Sequence, residues 1–378
     1  MVARGKVALL LRLSVHRGSS AGRTAVKATR PSLKDFSRDA LRADFKERGF
    51  PAYRADQVLS WIYAQGVESV AEMNNLPTSL RTHLEEEWDT SSLSRRRVEV
   101  SQDGTQKFLL ETRDGAAIEA VLIPEERRNT LCVSTQVGCP LACSFCATGA
   151  LGFTRNLTTG EIMDQVIRAR EVLSEESAIT NIVFMGMGEP LLNLPAVTEA
   201  IGLLTDPKTL AMAPRRITVS TAGLVPQIKP LLEIGPINLA VSLHATTDTV
   251  RDELVPLNRR FPLDVLLGSL RSEPLLSRKR PVFFEYTLMR GVNDSLEDAA
   301  RLPELLKGIP SKLNVIPMNA HPDAEYEPPD QATCDAFTQT AYRAGLRVTL
   351  RRNRGADIDA ACGQLAARDK TALSSVIS

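Results

Sequence analysis

From about residue 130 the chain alternates short apolar runs with longer segments of helical period. The apolar runs Leu131–Gln136, Asn181–Met185, Arg216–Ser220, Asn238–His244, Val282–Leu288 and Leu313–Pro317 read as strands. Between them the apolar positions recur as on helix faces in Thr159–Leu173, Ala196–Leu204, Leu263–Leu270 and Leu296–Leu306, and a further helix is expected over 331–344. Six such units predict an α/β fold, a parallel sheet curled into a partial (β/α)6 barrel of the TIM type. The chemistry of such barrels sits at the carboxyl ends of the strands, and the polar motifs of this chain fall there.

Upstream the pattern differs. Residues 35–92 read as a small helical domain: Leu41 and Phe45 share a face that stops at Gly49, Val58, Leu59 and Ile62 mark a second helix closed by Gly66, and Pro77 opens a third with Leu80 and Leu84 on one side. A helical block this small either packs onto a larger domain or binds something itself. Residues 93–129 alternate apolar and polar positions around Asp103-Gly104 and Asp114-Gly115, a strong hairpin signal, and read as a β-hairpin segment linking the two. The barrel is assigned to 130–365 with a catalytic loop at its end, and 366–378 to a tail.

Composition narrows the class. No unbroken apolar run approaches the roughly 20 residues of a membrane span, so a soluble, membrane-free chain is expected. Four of the six cysteines lie between positions 132 and 146, which points to metal or catalysis in a reducing compartment and not to a disulfide scaffold. The net charge of +1 gives no general push toward nucleic acid. Residues 1–34 hold eight basic side chains and no acid. They read as a disordered basic extension of a cytoplasmic protein or, alternatively, as an organelle transit peptide.

The strongest motif is Cys139-x3-Cys143-x2-Cys146, in a loop that begins at Gly138 directly after the first barrel strand. Three cysteines so spaced can clasp one [4Fe-4S] cubane and leave its fourth iron open, where a fully protein-held cubane takes four. A structural zinc site is the alternative. It would have to recruit Cys132 or His244 to close a tetrahedron. One βα unit later, Gly186-Met187-Gly188-Glu189-Pro190 ends a strand with glycines that permit close backbone approach and a carboxylate able to accept from an ammonium.

This cysteine motif after a first barrel strand resembles the radical S-adenosylmethionine (SAM) superfamily. There the open iron chelates SAM and a 5′-deoxyadenosyl radical results, while a Gly-Gly-Glu-Pro element receives the methionine amino group. The wider segments Cys132–Gly149 and Gly152–Glu161, with Ser242-Leu-His-Ala, Asn258-Arg-Arg and Asp357-Ile-Asp-Ala-Ala-Cys, resemble the RlmN/Cfr family of RNA methyltransferases, RlmN more than Cfr. Phe50-Pro-Ala-Tyr-Arg-Ala-Asp-Gln and Trp61-Ile-Tyr carry the resemblance into the helical domain, which it marks as RNA-binding. It runs from about Leu33 to Leu365.

The resemblance implies methylation of adenine C2 in 23S rRNA and tRNA, at adenosines 2503 and 37 respectively. Two SAM molecules are consumed: one methylates a cysteine, and the second supplies the radical that activates that methyl group. It further implies that Cys362 is the methyl acceptor, Cys132 the thiol that later releases product as a transient disulfide forms, and Glu119 the proton acceptor. Cys139, Cys143 and Cys146 would hold the cluster, and Gly188, Glu189, Ser220, Ser242, Leu243, His244 and Asn319 would bind SAM. An electron donor such as flavodoxin or ferredoxin and a monomeric state go with it. The rival readings are a Cfr-type C8 enzyme with the same cysteines and a non-catalytic RNA-binding protein with a structural metal site.

Three features depart from the family pattern: Pro140 inside the cysteine loop, Ala356 in place of an acid, and the stretch Met318–Pro329. Arg95–Arg97, Arg259-Arg260 and Arg351, Arg352 and Arg354 are candidate phosphate contacts, and a base buried in folded RNA would need to unstack into the barrel mouth. Cys334 matches nothing and reads as core.

Overall fold

The computed structural model describes residues 30–174, 177–319 and 325–367. Most of the basic extension, the end of the tail and the middle of the Met318–Pro329 stretch lie outside them. Helices α1 (Arg38–Glu47), α2 (Tyr53–Leu59) and α3 (Thr78–Glu87) form the first block. The expected face residues Leu41, Phe45, Val58, Leu59, Ile62, Leu80 and Leu84 are all sealed from solvent. They join one apolar core with the barrel.

The sheet begins with β1 (Leu93–Val100), β2 (Gln106–Thr112) and β3 (Ala117–Glu125), an antiparallel meander that turns at the two Asp-Gly pairs. Gly104 and Gly115 take φ of +83° and +82°, as such tight turns require. β3 pairs antiparallel with β4 (Arg128–Cys132), which starts the parallel run β7 (Asn181–Phe184), β8 (Ile217–Thr221), β9 (Asn238–Ser242), β10 (Val282–Leu288), β11 (Ser311–Pro317) and β12 (Val348–Leu350). Thus the hairpin segment extends the barrel sheet. β5 (Gln136–Gly138) and β6 (Phe153–Asn156) form a separate ribbon.

The connecting helices are α4 (Ala147–Ala150), α5 (Thr159–Arg170), α6 (Leu194–Thr205), α7 (Val225–Glu233), α8 (Asp248–Leu254), α9 (Leu263–Arg271), α10 (Leu296–Leu305) and α11 (Gln331–Arg343). Cys334 is in the core of α11. Among the described residues no helix is long and apolar enough to cross a membrane.

In the parallel run the strands differ from the sequence reading at two places. The first barrel strand is cut at Cys132, because Gln165 of α5 captures the Ser134 backbone on both sides, accepting from its N–H at 2.7 Å and donating to its carbonyl at 2.9 Å. The chain is thereby redirected into β5. A seventh parallel strand, β12, pairs with β11 over only three residues, and its flanking arginines hide it from a pattern search.

Candidate active site

The cysteine loop is closed by the β5–β6 ribbon. Gly138 has φ +74°, and a Cβ there would lie 1.9 Å from the Gly152 carbonyl oxygen, so only glycine fits. The Cys139 N–H donates to that same carbonyl at 2.8 Å, and α4 starts directly after Cys146. Burial pushes the Cys139 thiol up to about 12 and Cys143 far above its ordinary value, and the neighbouring cysteines add to both shifts. Cys139 and Cys143 therefore sit where neutral thiols are favoured unless a metal compensates the thiolates. Among the described residues no three Cys, His, Asp or Glu side chains converge on a single ion position. A cubane does not need such convergence, because its thiolates bind separate irons. His244 is no spare zinc ligand through Nδ1, which accepts from the Thr287 N–H at 3.0 Å.

Beside this loop, the ends of β7, β8 and β9 carry the residues expected to bind SAM. Gly188 takes φ +98°, and a Cβ there would press to 2.5 Å on Gln136. The Glu189 carboxylate is 4% exposed and accepts from the backbone N–H groups of Leu191 (3.1 Å) and Ala222 (2.8 Å). Burial nevertheless pushes it up to about 7, so an ammonium arriving here would restore the anion. Ser220 donates its hydroxyl to the Phe184 carbonyl at 2.7 Å. The carbonyls of Ser242 and Leu243 both accept from Arg251.

His244 sits in the left-handed region at φ +57°, a costly conformation for a non-glycine residue. Burial first, and then Arg251, push its imidazole down to about 3, so it is neutral, with the Phe145 ring edge-on at 4.8 Å. Asn319 donates to the Cys362 carbonyl at 3.2 Å, while its Oδ1 is buried without a partner. Such an orphaned acceptor is what a bound polar ligand would satisfy. The donors present therefore fit both SAM and the cluster.

The remaining candidates meet on one face of the sheet. Cys132 pairs with Val121 of β3, two residues from Glu119, and Val121 pairs in turn with Lys107 of β2, so Glu119, Cys132 and Lys107 project to one side. The segment after β12 closes over that face. Asp357 accepts from the Ser101 hydroxyl (2.5 Å) and the Gln102 N–H (3.2 Å), and the Gly355 N–H donates to Asp103 (3.0 Å). Further on, the Gly363 carbonyl accepts from the Ala147 N–H (2.8 Å) and the Leu365 carbonyl from Thr148 (2.6 Å).

Cys362 is held between these straps, close enough that its charge affects the Cys132 thiol and that of Cys146 affects its own. It keeps exposed surface while protein atoms crowd it on all other sides, as at the wall of a deep hollow, and that crowding raises its thiol. Cys132 lies deeper, and burial pushes it up to about 12, with Cys362 as the next contributor.

Glu119 is occupied here. One carboxylate oxygen accepts from the Ala366 and Ala367 N–H groups (2.9 and 3.1 Å), and the other lies 3.3 Å from the Lys107 ammonium.

Sequence reasoning assigns no role to three residues at the site, Lys107, Gln136 and Arg251, and reads a fourth, Arg351, only as a phosphate contact. Gln136 accepts from the Glu189 N–H at 2.8 Å, and Arg351 places its charge near both Cys132 and Cys362. Of the candidate phosphate contacts, Arg95 and Arg97 pair with Glu171 and Glu99 (3.0 and 3.6 Å), Arg96 pairs with Glu111, and Arg354 braces Asp103 at 3.1 Å. Arg259, Arg260, Arg351 and Arg352 remain exposed at their side chains.

Two family patterns match the chain: the radical SAM superfamily over residues 133–302 and the ribosomal RNA large subunit methyltransferase N-terminal domain over residues 32–89. The dual-specificity RNA methyltransferase RlmN of Geobacter sulfurreducens is 48% identical over 88% of this chain and 91% of its own length. That of Methylobacterium radiotolerans is 45% identical over 90% and 87%. The crystal structure of a radical SAM methyltransferase from Sphaerobacter thermophilus superposes with a TM-score of 0.84 at 42% identity, covering 89% of this chain and all of that one. A cysteine loop at the first strand end, a buried glutamate beside it and Cys362 on a strapped segment thus occur in a chain that belongs to the RlmN family of radical SAM RNA methyltransferases.

Proposed function

We propose that this enzyme methylates C2 of adenine in 23S rRNA and in tRNA, with Cys362 as methyl carrier, Cys132 as the releasing thiol and Glu119 as proton acceptor. The observation that supports the reading is that the Gly363 carbonyl, next to Cys362, accepts from the Ala147 N–H, next to Cys146, at 2.8 Å, with Cys362 also within electrostatic reach of Cys132. A thiol there is reachable first by chemistry at the cysteine loop and afterwards by a second thiol. A [4Fe-4S] cluster held by Cys139, Cys143 and Cys146 supplies, when bound, the electron that cleaves SAM. Glu189 orients the SAM amino group, the orphaned Asn319 Oδ1 accepts from the ligand, and neutral His244 lines the pocket without adding charge.

The chain's own residues do the rest. Adenine C2 lies between two ring nitrogens and is electron-poor, so polar attack on a SAM methyl is disfavoured and the carbon is delivered through the Cys362 sulfur. Glu119 accepts the C2 proton once the Ala366 and Ala367 amides give up its carboxylate. The Cys132 thiolate then attacks the Cys362 sulfur; the carbon–sulfur bonding pair leaves with the carbon, which takes up a proton to complete the methyl group, and a disulfide forms. We assign the electron supply to a flavodoxin- or ferredoxin-type donor, and take the protein to act as a monomer in the cytoplasm.

The test is mass spectrometry of nucleosides from RNA incubated with anaerobically reconstituted enzyme and methyl-labelled SAM. 2-Methyladenosine is expected from both RNAs, at positions 2503 and 37. 8-Methyladenosine as the main product would establish the Cfr-type reaction instead. Glu119→Gln is expected to slow turnover by roughly 10²–10⁴-fold, the usual worth of a general base, while the cluster stays bound and Cys362 is still methylated. Full activity in that variant would remove Glu119 from the mechanism.

A further inference from the structure

Among the described residues Arg251 is the largest side chain sealed completely from solvent, and nothing in the chemistry above uses it. It projects from α8, and its guanidinium makes four hydrogen bonds. Nε donates to the Leu243 carbonyl (3.0 Å), one terminal nitrogen to the Asn258 amide oxygen (2.8 Å), and the other to the carbonyls of Ala222 (2.7 Å) and Ser242 (2.9 Å). All four acceptors are neutral. The acids Asp248 and Asp252 are reached only through Asn258, whose amide donates to them at 2.9 and 2.7 Å. Burial lowers Arg251 only to about 10, so it is a cation at neutral pH. The charges of Asp248 and Asp252 still favour the cation, less than that of Cys143 does, but none of the hydrogen bonds it makes goes to an anion. A buried cation so held is expensive, and it is kept where a further anion stands nearby.

The cysteine loop lies beside it, and Cys143 would be anionic once it holds the cluster. The Ser144 N–H donates to the Leu254 carbonyl at 3.2 Å, three residues along the helix from Arg251, and Cys143 packs against Ala222, Leu254 and Val255. Cys143 is also the leading anionic influence on the guanidinium. The same arginine reaches the SAM side, because the peptide after Thr221 is shared: Ala222 gives its N–H to Glu189 and its carbonyl to Arg251.

We propose that Arg251 is the fixed counter-charge of the metallocentre, raising the reduction potential of the cluster carried by Cys139, Cys143 and Cys146 while it pins the strand ends at Ala222, Ser242 and Leu243. A cubane with three thiolates is already anionic, and each electron it accepts from the donor adds one negative charge; a buried cation at its edge favours that uptake. Arg251 touches neither substrate nor iron and is a positioning residue. The inference rests on the assignment of the cluster to these three cysteines.

The experiment uses the full chain, anaerobically reconstituted, as wild type, Arg251→Gln and Arg251→Lys. Iron and sulfide are counted first, and the samples are then poised with mediators at one fixed potential and read by electron paramagnetic resonance. Arg251→Gln with its iron complete should show at least a tenfold fall in the ratio of reduced to oxidised cluster, equivalent to about 59 mV for a one-electron couple. Arg251→Lys, which keeps a cation, should stay within about threefold of wild type, by the same conversion roughly half that shift or less. An unchanged ratio in Arg251→Gln, or an equal tenfold fall in both variants, overturns the proposal. If Arg251→Gln does not fold, judged by circular dichroism, the lysine variant decides alone: near wild type supports the charge, a tenfold fall overturns it. Wild-type protein that takes up no iron would instead overturn the cluster assignment beneath it.

Discussion

Cys132→Ala is expected to accumulate a covalent protein–RNA adduct, visible as a slow band on a denaturing gel and removed by nuclease. The argument starts from the sheet. Cys132 ends β4 on the face that Glu119 shares, and it lies against Cys362, which the straps at Asp357, Gly363 and Leu365 hold over that face. In the proposed mechanism the carbon on the Cys362 sulfur becomes bonded to the base as well, and Cys132 is the thiol that then attacks that sulfur and frees the product. Without it the bond persists. Cys362→Ala should behave differently: fully inactive, with its iron retained and no adduct formed, because the carbon never enters through sulfur. Normal turnover in Cys132→Ala, or active enzyme in which Cys362 is never methylated, would refute the mechanism even if the product proved right.

Adduct release in the wild type should also depend on pH in a definite direction. The nucleophile is the thiolate, and burial holds the Cys132 thiol near 12, so the reactive fraction grows about tenfold per pH unit through the neutral range. Decay of the adduct in rapid-quench samples should therefore speed up between about pH 7 and 9. A flat profile would mean that another step, or a base acting on the thiol, limits release.

How much of this was legible beforehand differs by element, for physical reasons. The cysteine loop and Glu189 stand out because thiolates at fixed spacing and a glycine-rich strand end are local in sequence. Leu41, Phe45, Leu80 and Leu84 were legible because amphipathic period records burial. The helices α7 and α8 escaped: Pro230 interrupts one, and the other is seven residues long and mostly polar. β12 escaped because three residues give too short an alternation.

Arg251 and Lys107 escaped for a deeper reason. An arginine on a helix or a lysine on a strand reads as a solvated charge, and only tertiary packing turns it inward. Lys107 ends up 4% exposed between Glu99 and Glu119 at 3.1 and 3.3 Å, three charged residues that the pattern would put in water. Family resemblance supplied the roles of Cys132, Cys362 and Glu119, which no local spacing encodes. It did not disclose that Glu119 is tied to the backbone at Ala366 and Ala367.

The attachment of the helical block to the barrel gives the largest expected effect on stability. Asp164 of α5 is completely buried. One carboxylate oxygen pairs with the ammonium of Lys34, itself 1% exposed, and the other accepts from the N–H groups of Ser92 and Leu93, each at 2.7 Å. One side chain thus fastens the segment before α1, the start of β1 and a barrel helix together. Asp164→Ala leaves a buried ammonium and two backbone donors unpaired. Removing one partner of a buried ion pair costs about 3–5 kcal/mol, and the orphaned donors add to it. At roughly 1–2 °C per kcal/mol for a chain of this size, the thermal midpoint should fall by roughly 5 °C or more. The double variant Lys34→Met with Asp164→Leu should recover roughly 2 kcal/mol of that loss, since no charge is then left alone, although the Ser92 and Leu93 donors stay unpaired. Limited proteolysis should cut Asp164→Ala first between the helical block and β1. A loss below about 1 kcal/mol would mean that apolar packing, and not this buried carboxylate, holds the block in place.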